Sequence, residues 1–206
     1  MIENVNATRM ELLLLKKRLK LAQRGHKLLK DKQDELMSQL MAIIDEVKNL
    51  RLFIEREFQS ILFEFILASA KMGPHQAEEA LLIPTKKISI SVEQKNLISV
   101  RIPLFKKEVE GDIISYGYLN TSAEMDSALI KFDKFIESLI SLAEKEKAVQ
   151  LMADEIEETR RRVNALEYKL IPNLEETIKY ITMKLSETER SSIVRLMKIK
   201  DMVRSH

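Results

Sequence analysis

The chain has no cysteine and no tryptophan, only four glycines and four prolines, and just 5% aromatic residues. Without cysteine there are no disulfides and no thiolate metal sites, which fits a reducing compartment. Few glycines and prolines mean few turns, and few aromatics leave little to fill a bulky globular core. The most apolar stretch, ILFEFILASA at 61–70, carries Glu64. It is about half the ~20 residues needed to span a bilayer. The first residues, MIENVNATRMELLLLKKRLK, lack the apolar run and small-residue cleavage site of a signal peptide. A soluble protein without membrane insertion is expected.

Sequence patterns of chemistry are missing too. The glycines stand at 25, 73, 111 and 117, so neither a Walker A sequence nor a G-x-G-x-x-G occurs. His26, His75 and His206 are far apart, and none sits in an H-x-x-x-H pattern. Glu157-Glu158 and Glu175-Glu176 are adjacent pairs whose members point to different helix faces. No catalytic, cofactor-binding or metal-binding residue is predicted, and the chain reads as a non-enzyme.

What is present is Leu, Lys, Glu, Ile and Met, the residues of long helices. Steps of three and four from Leu12 visit Leu15, Leu19, Ala22, His26, Leu29, Gln33, Leu36, Leu40, Ile43, Val47, Leu50 and Ile54. Only His26 and Gln33 break this apolar seam of six heptads, which predicts a coiled coil. Thr8 and Glu11 form a capping-box pattern at its start, and Gly73-Pro74 stops it. Some 64 residues make a rod of roughly 95 Å.

A second long helix starts near TSAEMD, with Thr121 or Ser122 as cap. Its seam reads Phe135, Leu139, Leu142, Val149, Met152, Ile156, Val163, Leu166 and Leu170, resuming at Ile181 and Leu185. Leu166, Leu170, Leu174 and Ile178 are each four apart, a stutter, and Pro172 inside it predicts a kink. Between the helices, PHQAEEALLIP suggests a short helix. KISISVE and LISVRIPLF suggest hairpin arms joined at QKN, about 87–105, with Pro103 at an edge or strand end. EGDIISYGYLN reads as loop.

The expected fold is mainly α: a long antiparallel two-helix coiled coil around a small middle region with a short helix and a β-hairpin. Its parts are 8–72, 73–121 and 122–200. Each helix needs the other's apolar stripe. Antiparallel pairing brings the two termini together at one end.

The formal net charge of +2 hides a dipole. Residues 1–32 carry net +6 and residues 179–206 net +4, so that end holds +10, against −8 for the remainder. Such asymmetry suggests a charged partner, or a solvated helix face. Nucleic acid is disfavoured because no aromatic interleaves the lysines. RGHKLLKDK, 24–32, which could line a phosphate site on composition, reads as one and a half heptads. His26 then marks a polar layer that fixes register. Gly25 allows close approach by the facing helix or by another subunit.

TRMELLLLKKRLKLAQRGHKLLKDKQDEL (8–36) and RRVNALEYKLIPNLEETIKYI (161–181) closely resemble the D subunit of the V-type/A-type rotary ATPases. With the order helix, hairpin, helix, the resemblance covers nearly the whole chain. Its compactness, ending at His206, looks like the bacterial or archaeal form. The resemblance implies a central rotor shaft, cytoplasmic and peripheral to the membrane. It implies as partners the A and B subunits of the catalytic head, the F subunit, and the C subunit (d in eukaryotes) on the membrane ring. Such a shaft couples ATP hydrolysis or synthesis to proton or sodium movement. On that reading Arg9, Lys16, Lys20, Arg24, Lys27, Arg190 and Arg195 meet acidic or carbonyl-rich loops of the head. Within FIEREFQSILFEFILASA (53–70), Phe58, Leu62 and Phe65 pack on the small middle region, and other residues either dock the F subunit or pack within the chain. The rivals are a prefoldin-like chaperone or other tethering coiled coil, whose tips should be apolar rather than basic, and a nucleic-acid-binding coiled coil.

Overall fold

A computed structural model describes residues 6–117 and 121–204. The order is α1 (Arg9–Met72), α2 (Pro74–Leu81), β1 (Lys87–Leu97), β2 (Val100–Glu110), α3 (Ala123–Ala165), a π-helical turn (Leu166–Leu170) and α4 (Ile171–Arg204). These form two compact units. The middle unit is Leu36–Glu155, and the end unit is the described part of Met1–Glu35 with Ile156–His206.

Helix α1 starts where Thr8 Oγ1 accepts the Glu11 N–H at 3.2 Å. The reciprocal half of the capping box is replaced, because the Thr8 N–H donates to the Asn6 carbonyl at 2.8 Å. All thirteen seam positions from Leu12 to Ile54 are buried or half-buried. The helix ends at Gly73, whose φ of 90° is costly for any residue with a Cβ. Pro74 then opens α2, where its missing N–H is harmless. Ser122 precedes α3 and its carbonyl accepts the Met125 N–H at 2.9 Å. The Thr121 hydroxyl donates instead to the Gly117 carbonyl at 3.4 Å.

In the middle unit α1 and α3 pack antiparallel, with Arg51 to Glu146 and Lys145 to Glu46 both at 2.7 Å. Ile54, Ile61 and Phe135 form one buried cluster. Ala68, Ala77 and Met125 form another, which draws α2 onto the helices. In the end unit α1 and α4 also run antiparallel, with Arg9 beside Glu189 and His26 beside Glu167. Leu15, Ile156, Val163 and Ile181 make its core. Thr159 and Thr177 are buried there as well, positions that a search for apolar residues passes over.

Other local expectations are corrected. The hairpin runs from Lys87 to Glu110 rather than 105, and its turn is Ile98-Ser99, not QKN, with Leu97 paired to Val100. Both turn residues have positive φ, 48° and 74°, as a type I′ turn requires. Burial of Val100 selects this register over the one Asn96 favours. Pro103 lies inside β2 opposite Gln94 and, as expected, on an edge, since a two-stranded sheet has only edge strands. Around Pro172 the helix widens into a π turn, in which the Ile171 N–H reaches back to the Leu166 carbonyl. That extra residue per turn absorbs the run of fours, and Leu170, on the expected seam, is exposed. Leu139 is likewise exposed, for which the packing offers no account. The last three residues of the expected loop, 118–120, and His206 lie outside the described residues.

Candidate functional site

The end unit carries the basic surface. Lys16, Lys20, Arg24 and Lys27 follow helical spacing along α1, off the seam, and all are exposed. Arg190 and Arg195 are exposed on α4. Among the described residues none of these six has an ion-pair partner. Arg9 differs, since its guanidinium donates to Glu189 at 2.5 Å. Both side chains are more than half exposed, so the pair contributes only about 0–1 kcal/mol.

That contact sets where the pairing of helices stops. Glu189 lies beside the first residue of α1, and every described residue of α4 beyond it is exposed. The fifteen residues from Arg190 to Arg204 extend for about 22 Å. They hold seven apolar side chains: Ile193, Val194, Leu196, Met197, Ile199, Met202 and Val203. Five bases and one acid are interleaved with them. The sequence search for a seam stopped at Leu185 and passed over this apolar surface. The available signal was apolar spacing continuing after the facing helix had run out.

His26 sits half-buried on the seam, its Nε2 3.3 Å from Glu167 Oε2 on the π turn. It therefore links α1 to the opposite helix of the pair, as a register-fixing residue does. His75 is exposed, and among the described residues no three His, Cys, Asp or Glu side chains are grouped to hold a metal. Gly25 corrects the expectation of close approach within the chain, because a Cβ placed there meets nothing within 4 Å. A mid-helix glycine costs about 1 kcal/mol against alanine. Here the chain's own packing does not require it.

The middle unit presents the second surface. Phe58 stacks on Phe135 of α3, with ring centroids 5.5 Å apart, rather than on the small middle region. Phe65 packs on the cluster containing Ala77 of α2. Leu62 is exposed, and so are Phe53, Phe63 and Ile66. Beside this surface Glu64 is tied to Lys131 and accepts from Ser127 Oγ at 3.2 Å. The hydrogen bond from the Lys131 ammonium, more than any other influence, holds its carboxyl below the usual carboxylate range. Lys71 does the same for Glu124.

The hairpin is fastened along β2. The Phe105 N–H donates to the Glu144 carboxylate at 2.9 Å, and Lys107 meets Glu137 at 3.1 Å. Lys86, just before β1, pairs with Asp133. Ile90 and Val92 of β1 stay exposed. Among the described residues no helix is long and apolar enough to cross a membrane.

Comparison with known proteins places the chain in a lineage. The family model for the ATP synthase D subunit matches residues 11–201. The V-type ATP synthase D subunit of Fusobacterium nucleatum is 56% identical over 202 residues, covering 97% of this chain and 96% of its own. That of Clostridium botulinum (strain ATCC 19397 / Type A) is 55% identical, covering 97% and 95%. That of Thermoanaerobacter sp. (strain X514) is 54% identical, covering 97% of each.

Proposed function

The chain belongs to the ATP synthase D-subunit family, and on that premise we propose that it is the central rotor shaft of a V/A-type rotary ATPase. It carries torque between the nucleotide-binding A/B head and the membrane rotor ring. ATP hydrolysis or synthesis is thereby coupled to proton or sodium transport. It works in the cytoplasm, peripheral to the membrane, and contributes no catalytic residue of its own.

The observation that supports this reading best is the end of α4. Seven apolar side chains are exposed over fifteen residues of helix, and among the described residues no helix faces them, which leaves a surface that water does not favour. A sleeve of A and B subunits encloses such a helix from all sides. The bases at Arg9, Lys16, Lys20, Arg24, Lys27, Arg190 and Arg195 then face acidic or carbonyl-rich loops of the sleeve. Screened contacts of about 0–1 kcal/mol each suit a bearing, since none holds the shaft at a single angle. The paired helices of each unit let it transmit twist.

The surface around Phe63 and Ile66, with Phe58, Leu62 and Phe65 beneath or beside it, is the docking site for the F subunit. The C subunit (d in eukaryotes) joins the shaft to the ring. A prefoldin-like tether remains the alternative with an observation in its favour, because the tip of α4 is apolar as well as basic. Family membership weighs against it.

A tagged full chain should co-purify with the nucleotide-binding A and B subunits and the F subunit. Recovery of unfolded clients instead would select the chaperone reading. Simultaneous charge reversal at the seven basic sites should uncouple ATPase activity or block head assembly, and retention of both would sink the bearing. Hydrogen exchange with and without the F subunit should show new protection over 53–70.

A further inference from the structure

Beside the π turn, between α1 and α4 of the end unit, lies an open trough of about 930 Å³. Its floor is apolar, made by Leu15, Ala22, Leu166 and Leu174. Arg18 and Lys169 stand in its lining, and no carboxylate does. Among the described residues neither cation has an ion-pair partner, although helix-to-helix contacts on either side, Arg9 to Glu189 and His26 to Glu167, are paired.

Two features keep this trough open. At the π turn Leu170 lines the trough and stays exposed rather than closing it. Gly25 withholds a side chain where a Cβ would meet nothing. Glycine lowers the stability of a helix interior. Nothing in the chain's own packing asks for it here. The space it leaves therefore serves something outside the chain.

We propose that this trough is the seat of an acidic amphipathic helix from a protein partner. An open channel between two helices accepts the ridge of a third. The floor takes the apolar stripe of that helix, one side chain lying over Gly25. Carboxylates on its flanks pair with Arg18 and Lys169, where the apolar floor limits screening by water. A phosphate ligand would use the cations but leave the floor wet, so the full lining favours a protein. The trough lies on one face of the helix pair, so its occupant holds one fixed angle to the chain, unlike the diffuse basic bearing. That the occupant is part of a rotary ATPase rests on the shaft reading.

The absence of cysteine supplies the test. An Asn173→Cys chain, labelled at the exposed edge of the trough with benzophenone maleimide and assembled into the ATPase complex, is irradiated and the cross-linked peptide is sequenced by mass spectrometry. The expected product is an acidic amphipathic segment of one partner protein. In parallel, Gly25→Leu and the double variant Arg18→Glu, Lys169→Glu should each weaken complex assembly at least tenfold. Gly25→Leu should melt no lower than the parent, because leucine is the better helix former, so failed folding is not the cause. Leu28→Ser, exposed and outside the trough, is the control. If the complex assembles but position 173 cross-links to nothing, to a basic segment, to a small molecule or to nucleic acid, the trough proposal fails and the shaft reading stands. Assembly of both groove variants at parental affinity has the same meaning. If the parent chain captures no ATPase component at all, both fall.

Discussion

Two isoleucines on α4, twelve residues apart, separate the packed part of the end unit from the exposed part. Ile181 is 0% exposed and Ile193 is 53% exposed. Truncating a fully buried isoleucine to alanine loses transfer energy and leaves a cavity, at a cost of about 3 kcal/mol within a range of 2–5. If the whole chain melts as one transition, that cost lowers Tm by about 6–12 °C for its size. If the end unit, about 80 residues, melts alone, the drop is about 12–24 °C. Ile193→Ala removes a surface side chain and should change stability by no more than about 0.5 kcal/mol. Calorimetry of both variants of the isolated chain reads these shifts directly. Binding to the A/B head reads the other half of the argument, since Ile193→Ala should weaken it while Ile181→Ala, once folded, should not. Equal destabilisation by the two variants would mean that the end of α4 is already packed, and the case for a sleeve around it would collapse.

The hairpin turn holds a β-branched residue, Ile98, at φ 48°. Replacing Ile98-Ser99 by Asn-Gly should relieve about 1–2 kcal/mol of left-handed strain and slow amide exchange along β1 and β2. Faster exchange would show that the Ile98 side chain stabilises the tip by more than its backbone costs. Acid should loosen the middle unit first where lysines hold Glu64 and Glu124 ionised. Their folded pKa values are depressed, so the stabilisation is complete above the unfolded value of about 4.3 and is lost as pH falls through the lower folded values. In Lys131→Met the melting temperature should fall less steeply between neutral and acid pH than in the parent, and an unchanged slope would remove Glu64 from the account.

The seam of α1 was legible because a 3.5-residue repeat is a local property. Each of its thirteen positions turns inward wherever the chain pairs with any antiparallel apolar stripe. The Thr8 cap and the stop at Gly73 were legible for the same reason, since both act within one turn. The hairpin turn was not, because Asn96 offered good turn chemistry, while the turn lies at Ile98-Ser99 beside the buried Val100. The partner of Phe58 was also out of reach, since a ring at helical spacing says that it packs but not on what. Of the seven basic residues, the sequence named those on the surface without showing that Arg9 is paired with Glu189.

Composition and periodicity by themselves determined a mainly helical chain without disulfides, its long paired helices, its hairpin-bearing middle and, through two segments, its family. These follow from backbone propensity and from apolar residues seeking one shared face, which act over a few residues at a time. Only the tertiary structure decided where pairing among the described residues ends, at Arg9 and Glu189, and so which part of α4 is exposed. It alone showed that Pro172 is met by a π turn and that Gly25 opens on an unfilled trough. Those outcomes depend on the stagger between segments more than a hundred residues apart, and stagger is set by the summed packing of the whole seam.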